Sequence, residues 1–252
     1  MDGLQNLKNK LEKREKIYGS TLLHIGYTGL PAIYKNGGAD FLLIDMEHGS
    51  FFPENVGDLC YAARKEDLPM IARVQDCEYH CISKCLDMGC DGVLIPRTET
   101  MEQVETAIRS MRVPPIGKKG VGGRSLLRIG EKISEFNDNR LLFIQIESIQ
   151  GVDLLDEMLT KYGDQIAGIL VGPTDFAVSM GIGFTVNDEM VSHLRRLISI
   201  CDKHRKSCGI FMNGDDDIKK WYSEGMNLFW VSAEIAMLGD EIKRSKRFID
   251  EL

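Results

Sequence analysis

Eight short apolar runs set the tightest limit on what this chain can fold into. They occupy positions 17–24, 40–45, 69–74, 92–96, 141–146, 166–172, 207–212 and 227–232. Most, such as "DFLLID" and "IAGILVG", are hydrophobic at nearly every position. A strand with one wet face alternates apolar and polar residues, whereas a strand buried on both faces does not. The stretches between the runs carry helical period, clearest in "ENVGDLCYAARKE" (54–66), "MEQVETAIRSMR" (101–112) and "MVSHLRRLISICDKHRK" (190–206). Alternating strand and helix implies parallel βαβ units. Eight such units within 252 residues predict an α/β fold, one closed (β/α)8 TIM barrel forming a single domain over 1–252. A doubly wound open sheet is the competitor. The number of runs and the lack of an early G-x-G-x-x-G turn favour the barrel.

The composition suits that size of core. Hydrophobic residues make up 43% and charged residues 27%, so a barrel this long needs no staples. The net charge of −7 argues against nonspecific nucleic-acid binding. No run approaches ~18 consecutive apolar residues, so no transmembrane helix and no membrane partner are expected. The opening "MDGLQNLKNKLEKREK" is charged and helical in pattern, without the apolar centre of a secretory signal. A cytoplasmic location is therefore expected, with the seven cysteines reduced. The connection over 111–140 is long, with Pro114, Pro115 and five glycines. Loops of that length are usually functional lids or disordered, and this one is expected either to pack over a neighbouring subunit or to cross back toward the fifth strand.

In a barrel the chemistry gathers at the C-terminal ends of the strands. The second run ends at Asp45, with Glu47 and His48 next. The third ends in Arg73. The fifth ends in Gln145 and Glu147, and the sixth in Gly172, Pro173, Thr174 and Asp175. Buried charges must pair or coordinate something. Both signs converging on one rim suit a divalent cation and an anionic substrate. Glu147 and Asp175 offer the hard oxygen ligands that Mg2+ or Mn2+ takes. Arg73 offers a planar fork to a carboxylate or an enolate oxygen. His48 is the candidate proton carrier, oriented by Asp45 or Glu47. Bland readings exist for each: Asp175 as a helix cap near Phe176, Arg73 pairing with Asp76, His48 as a satisfied core histidine. Their joint occurrence on four strand ends favours the site. None of the runs contains an interior lysine, which disfavours Schiff-base chemistry.

On these residues the chain resembles the HpcH/HpaI aldolase/citrate lyase family, specifically its metal-dependent pyruvate aldolases. "LLIDMEHG", "IARV", "PPIGKKGVGG", "IQIES" and "VGPTDFA" carry the resemblance in order. It implies a modified barrel whose last helix is exchanged between subunits of a homo-oligomer, often a hexamer. It implies a divalent metal (Mg2+ or Mn2+, or else Co2+) on Glu147 and Asp175. Arg73 would stabilise a pyruvate enolate and His48 would transfer a proton. Gln145 would place metal waters or substrate, and the backbone of Gly172, Pro173 and Thr174 would receive the pyruvate carboxylate. Asp87 matches an acidic family position and would reach a histidine across a subunit boundary. The implied reaction cleaves a 4-hydroxy-2-oxo acid to pyruvate and an aldehyde. Condensation on an oxaloacetate-type enolate or a citrate-lyase-like reaction is the near alternative. A non-catalytic barrel is the distant one, disfavoured because the site positions are filled. Three departures touch the aldehyde side, one of them a stretch over 122–140 that is shorter than in close relatives. Lys119 stands where the family often has Arg, and Asp175-Phe176-Ala177 where Asp-Leu-Ser is common. Arg124 and Arg128 could meet an acidic aldehyde tail, or serve as loop ion pairs.

Two further constellations read as structural. Cys77, Cys81, Cys85 and Cys90, with His80, match no familiar metal spacing. The first three would stack on one side of a barrel-packing helix. The acidic trio of "GDDDIKK" (214–220) would cap a helix beginning near Ile218.

Overall fold

A computed structural model describes residues 2–123 and 125–252. Eight strands pair in parallel in chain order and close into a barrel: β1 Ile17–Leu22, β2 Phe41–Asp45, β3 Met70–Arg73, β4 Gly92–Ile95, β5 Leu141–Ile146, β6 Gly168–Val171, β7 Ser207–Met212 and β8 Leu228–Ala233. The helices are α1 Gly3–Lys13, α2 Leu30–Asn36, α3 Pro53–Lys65, α4 Tyr79–Asp87, α5 Met101–Met111, α6 Ile149–Tyr162, α7 Pro173–Ser179, α8 Asp188–Lys203, α9 Asp215–Ser223 and α10 Glu234–Asp250. The (β/α)8 barrel expected from the sequence is the fold observed. Among the described residues no helix is long and apolar enough to cross a membrane.

The two-residue period of each strand explains the near-continuous apolar runs. On β2, Phe41 and Leu43 point into the barrel, where Phe41 stacks on Phe143 with ring centroids 6.3 Å apart. Leu42 and Ile44 point outward into the layer between strands and helices. The same parity places Ile71, Leu94, Leu170 and Leu228 inside. Glycine enters where the interior is crowded: a Cβ at Gly19 would collide with the Phe41 ring.

The N-terminal end of the barrel is plugged by α1. Its residues Leu4, Leu7 and Leu11 recur at helical spacing and join the interior cluster. Asp2 caps the helix by accepting the Gln5 N–H at 2.8 Å. The Gly3 N–H donates to the Asp67 carboxylate at 2.7 Å, and a Cβ at Gly3 would strike the Asp67 carbonyl.

The 112–140 connection is pinned at several points. Lys119, buried, pairs with Asp87 at 2.6 Å. Arg140 pairs with Glu131 at 2.8 Å, and Leu126 and Phe136 are buried. Arg128 pairs with Asp91 at 2.7 Å, at the start of β4 and so at the N-terminal end of the barrel. An aldehyde tail at the opposite end is out of its reach, because the buried Asp91 carboxylate already holds its guanidinium. Arg124 lies outside the described residues.

Two local expectations are corrected. Cys77 precedes α4 rather than lying on it, and its thiol donates to the Gln103 carbonyl at 3.2 Å. Only Cys81 and Cys85 share the helix, so no three-cysteine stripe forms. The helix expected near Ile218 starts at Asp215, so the three aspartates occupy its first turn beside the positive end of its dipole.

In α10 only Glu234 is buried. Ile235, Leu238, Ile242, Phe248 and Ile249 are all exposed. The helix thus leaves the barrel wall instead of burying an apolar stripe against it. The plug at the other end is a separate determinant of stability. Leu7→Ala, at a position with no exposure, should cost ~2–5 kcal/mol in urea denaturation. The parallel variant Glu12→Ala, on the exposed face of α1, should change stability by less than ~0.5 kcal/mol.

Candidate active site

The inward parity of the core continues to the C-terminal mouth. After Phe41 and Leu43 comes Asp45, and after Ile71 comes Arg73. After Leu141 and Phe143 comes Gln145, and after Leu228 comes Trp230. Charged and polar groups therefore occupy the last inward layer, above a fully apolar one. With Glu147, Gly172, Pro173, Thr174, Asp175 and His48 they line a cavity of about 340 Å³.

Asp45 and Arg73 are register partners on neighbouring strands. Asp45 is fully buried and Arg73 nearly so. The Arg73 Nε donates to Asp45 Oδ1 at 2.9 Å, and its Nη2 donates to Asp45 Oδ2, a bidentate fork. A third nitrogen, Nη1, lies 3.4 Å from Glu47 Oε2. Burial alone would lower the Arg73 pKa. The hydrogen bond and charge of Asp45, with the Glu47 and Glu147 charges, reverse that and raise it. The guanidinium also lies 5.8 Å from the Trp230 ring centroid. Arg73 therefore pairs with Asp45, not with Asp76.

Asp45 also shapes the following turn. Its Oδ1 accepts the backbone N–H of Glu47 at 3.0 Å and of His48 at 3.2 Å. This turn sends the His48 ring outward, 58% exposed, with Nε2 3.7 Å from Glu47 Oε2. Glu47, not Asp45, is thus the carboxylate beside the imidazole. Burial raises the Glu47 pKa, the Arg73, His48 and Arg97 charges lower it, and Asp45 raises it again; the net direction is upward.

Glu147 is the most perturbed acid of the site. Its pKa is raised from 4.5 to about 8, by burial first and then by the charges of Asp175 and Glu47. Its Oε1 accepts from Gln145 Nε2 and its Oε2 from the Arg97 N–H at 3.1 Å. Gln145 Oε1 is buried and has no partner among the described residues, so one hard oxygen acceptor beside Glu147 is unsatisfied. A Cβ at Gly172 would collide with both Glu147 Oε1 and Gln145 Nε2, which reserves the space for those two polar heads. Asp175 sits third in α7, whose N-cap is Gly172. It lines the cavity instead of capping a helix.

Asp87 lies elsewhere. At the C-terminal end of α4 it pairs with Lys119, and it does not line the cavity. Within one chain the structure gathers the other proposed residues and leaves this one apart.

Several lining residues escaped the sequence reading: Thr21, Leu23, Phe211, Trp230 and Ala233. Strand parity carried the signal for Trp230, two positions beyond the inward Leu228. Its indole N–H donates to Thr21 Oγ1 at 2.6 Å, and Phe211 meets it edge-on at 5.1 Å between centroids. Arg97 had no signal. Its backbone takes the left-handed conformation, φ 47°, and its Nε lies 3.5 Å from Glu47 Oε1.

The profile of the HpcH/HpaI aldolase/citrate lyase family matches residues 30–235, which contain every residue of this cavity except Thr21 and Leu23. The chain belongs to that family. This aldolase-type lyase is 30% identical over 241 residues to a hydroxypyruvate/pyruvate aldolase of Roseobacter denitrificans, covering 93% of each chain. It is 28% identical over 208 residues to a 5-keto-4-deoxy-D-glucarate aldolase of Klebsiella pneumoniae, covering 79% of each. A solved structure of a family protein from Burkholderia cenocepacia superposes with a TM-score of 0.89 at 24% identity, over 97% of this chain and 99% of that one.

The raised Glu147 pKa fixes a sign. Between 4.5 and about 8 the folded lyase holds a proton that the unfolded chain has released, so stability falls as pH rises through that window. In metal-free protein, thermal melts should show the midpoint dropping across this range. Glu147→Gln should flatten the decline relative to the parent.

Proposed function

We propose that this lyase is a divalent-metal-assisted aldolase that cleaves a 4-hydroxy-2-oxo acid into pyruvate and an aldehyde. The observation that carries this reading is the buried Glu147 carboxylate. It feels the charge of Asp175 and lies beside the unpartnered Gln145 oxygen, with Asp175 and Arg73 lining the same cavity. Two carboxylates and an amide oxygen are hard donors that fit a small divalent cation, Mg2+ or Mn2+. Among the described residues no cluster of three or more His, Cys, Asp or Glu surrounds a point. Two protein carboxylates with the remaining positions left to water or substrate is the pattern Mg2+ favours. When bound, the ion supplies Lewis-acid stabilisation of negative charge on the 2-oxo acid.

The chain's own groups account for the rest of the chemistry. Arg73, locked by Asp45, presents a fixed positive charge to the enolate oxygen as it develops, with no reorganisation required. Asp45 is therefore a positioning residue, and Glu47 flanks both Arg73 and His48. His48, at the open side of the cavity, accepts the proton of the 4-hydroxyl as the carbon–carbon bond breaks, directly or through a water, and returns it to C3 of the enolate to give pyruvate. Gln145 orients Glu147 through its amide. Gly172, Pro173 and Thr174 line the side that receives the pyruvate carboxylate. The remaining wall, Leu23, Phe211, Trp230 and Ala233, is left for the aldehyde. The exposed apolar stripe of α10 supports assembly into a homo-oligomer in which a second copy covers that stripe. Asp87 has 30% of its side chain exposed, and a role for it at a histidine belongs to such an assembly.

The test is pyruvate release from a panel of 4-hydroxy-2-oxo acids, with lactate dehydrogenase as reporter. Release should vanish after exhaustive chelation and return with Mg2+ or Mn2+. Full activity in the chelated protein would refute the metal reading. Separately, His48→Ala should slow cleavage by ~100-fold or more while Mn2+ affinity by titration calorimetry stays unchanged.

A further inference from the structure

Glu234 is the first residue of α10, directly after β8, and only 5% of it is exposed. Among the described residues it approaches no cation within ion-pair distance; its carboxylate is taken up by backbone amides. Oε2 accepts the N–H of Leu23 at 2.7 Å. Oε1 accepts the N–H of His24 at 2.6 Å and of Ile25 at 2.7 Å. Three consecutive amides from the end of β1 thus close on one buried anion, more than 200 residues away in the chain. Bonds to a charged acceptor are about twice as strong as neutral ones, and successive N–H groups in a turn form an anion-holding concavity.

The end of β8 is bent to make this contact. Ser232 takes the left-handed conformation at φ 54°, and pairing of β1 with β8 shifts register between Gly19 and Thr21. A non-glycine residue in that region is costly, and the three bonds of Glu234 offset the cost. The held loop then braces the catalytic turn. The Leu23 carbonyl accepts the Ser50 N–H at 3.0 Å, His24 Nδ1 lies 3.2 Å from Ser50 Oγ, and a Cβ at Gly49 would collide with the Leu23 carbonyl.

We infer that Glu234 is a positioning residue that clamps the loop 23–25, and so fixes the apolar aldehyde wall and the turn carrying His48. The aldehyde part rests on the function proposed above; the clamp does not. Glu234→Gln keeps the shape but puts an amide N–H against the backbone donors. Hydrogen–deuterium exchange of the peptide spanning 22–26 should rise about tenfold, with strands β3 to β5 unchanged. In the aldol direction the aldehyde KM should rise about tenfold and kcat should fall, while the KM for pyruvate, held on the far side of the cavity, stays within about twofold. Ser232→Gly, which relieves the backbone without touching the carboxylate, should leave loop protection intact. If Glu234→Gln does not fold, Glu234→Asp, with the charge on a shorter arm, takes the same readouts.

Unchanged exchange in the loop overturns the clamp. Faster exchange with unchanged aldehyde KM overturns its link to the aldehyde wall. A parent protein that neither exchanges pyruvate protons nor cleaves any 4-hydroxy-2-oxo acid defeats the proposed function, and the exchange experiment still decides the clamp.

Discussion

The ion pair of Asp45 with Arg73 is the constraint on which the mouth of this barrel depends. Both residues are withdrawn from water at the ends of adjacent strands. Removing either would strand a buried charge, which costs far more than the pair itself contributes. Every other feature of the mouth is arranged around that fixed fork. Asp45 uses the same oxygen to shape the turn into His48. Arg73 extends its third nitrogen toward Glu47 and lies over Trp230. A pair that is satisfied on all sides has one geometry, and a cavity built on it is pre-formed.

The cavity divides by chemistry. On the side of β5 and β6, the buried Glu147 carboxylate lies beside an unpaired amide oxygen, and its pKa rises first because burial disfavours the charged form and then because the Asp175 and Glu47 charges add to it. On the side of β1, β7 and β8, the wall is aromatic and aliphatic. The function proposed above, which joins or parts an anionic 2-oxo acid and an aldehyde, uses both surfaces within reach of one bond. Gly172 marks the border, since any side chain there would displace the Glu147 and Gln145 heads.

The fold and the polar half of the cavity were legible in the sequence for the same reason. Strands buried on both faces give uninterrupted apolar runs, so a polar or charged residue at the end of such a run stands out. Asp45, Arg73, Gln145 and Glu147 were all found that way, and the structure places them on one cavity. The bland alternatives for Arg73 and Asp175 failed because each assumed a sequence neighbour as partner. Arg73 took its partner from the next strand, and Asp175 turned toward the cavity from within a helix that starts earlier than expected. The cysteine stripe dissolved because four-residue spacing is helical only where a helix exists, and α4 begins after Cys77.

What the amino-acid order determined by itself is periodicity: eight strands, the helices between them, and the parity that turns particular side chains inward. Those follow from local burial, which is written position by position along the chain. What only the tertiary structure decided is which distant groups close on one another. Nothing in sequence spacing places the Glu234 carboxylate on the amides of Leu23 to Ile25, the Trp230 indole on Thr21, or the left-handed Arg97 backbone on Glu147. Barrel closure brings the last strand beside the first, and contacts across that seam have no signature short of the closed ring itself.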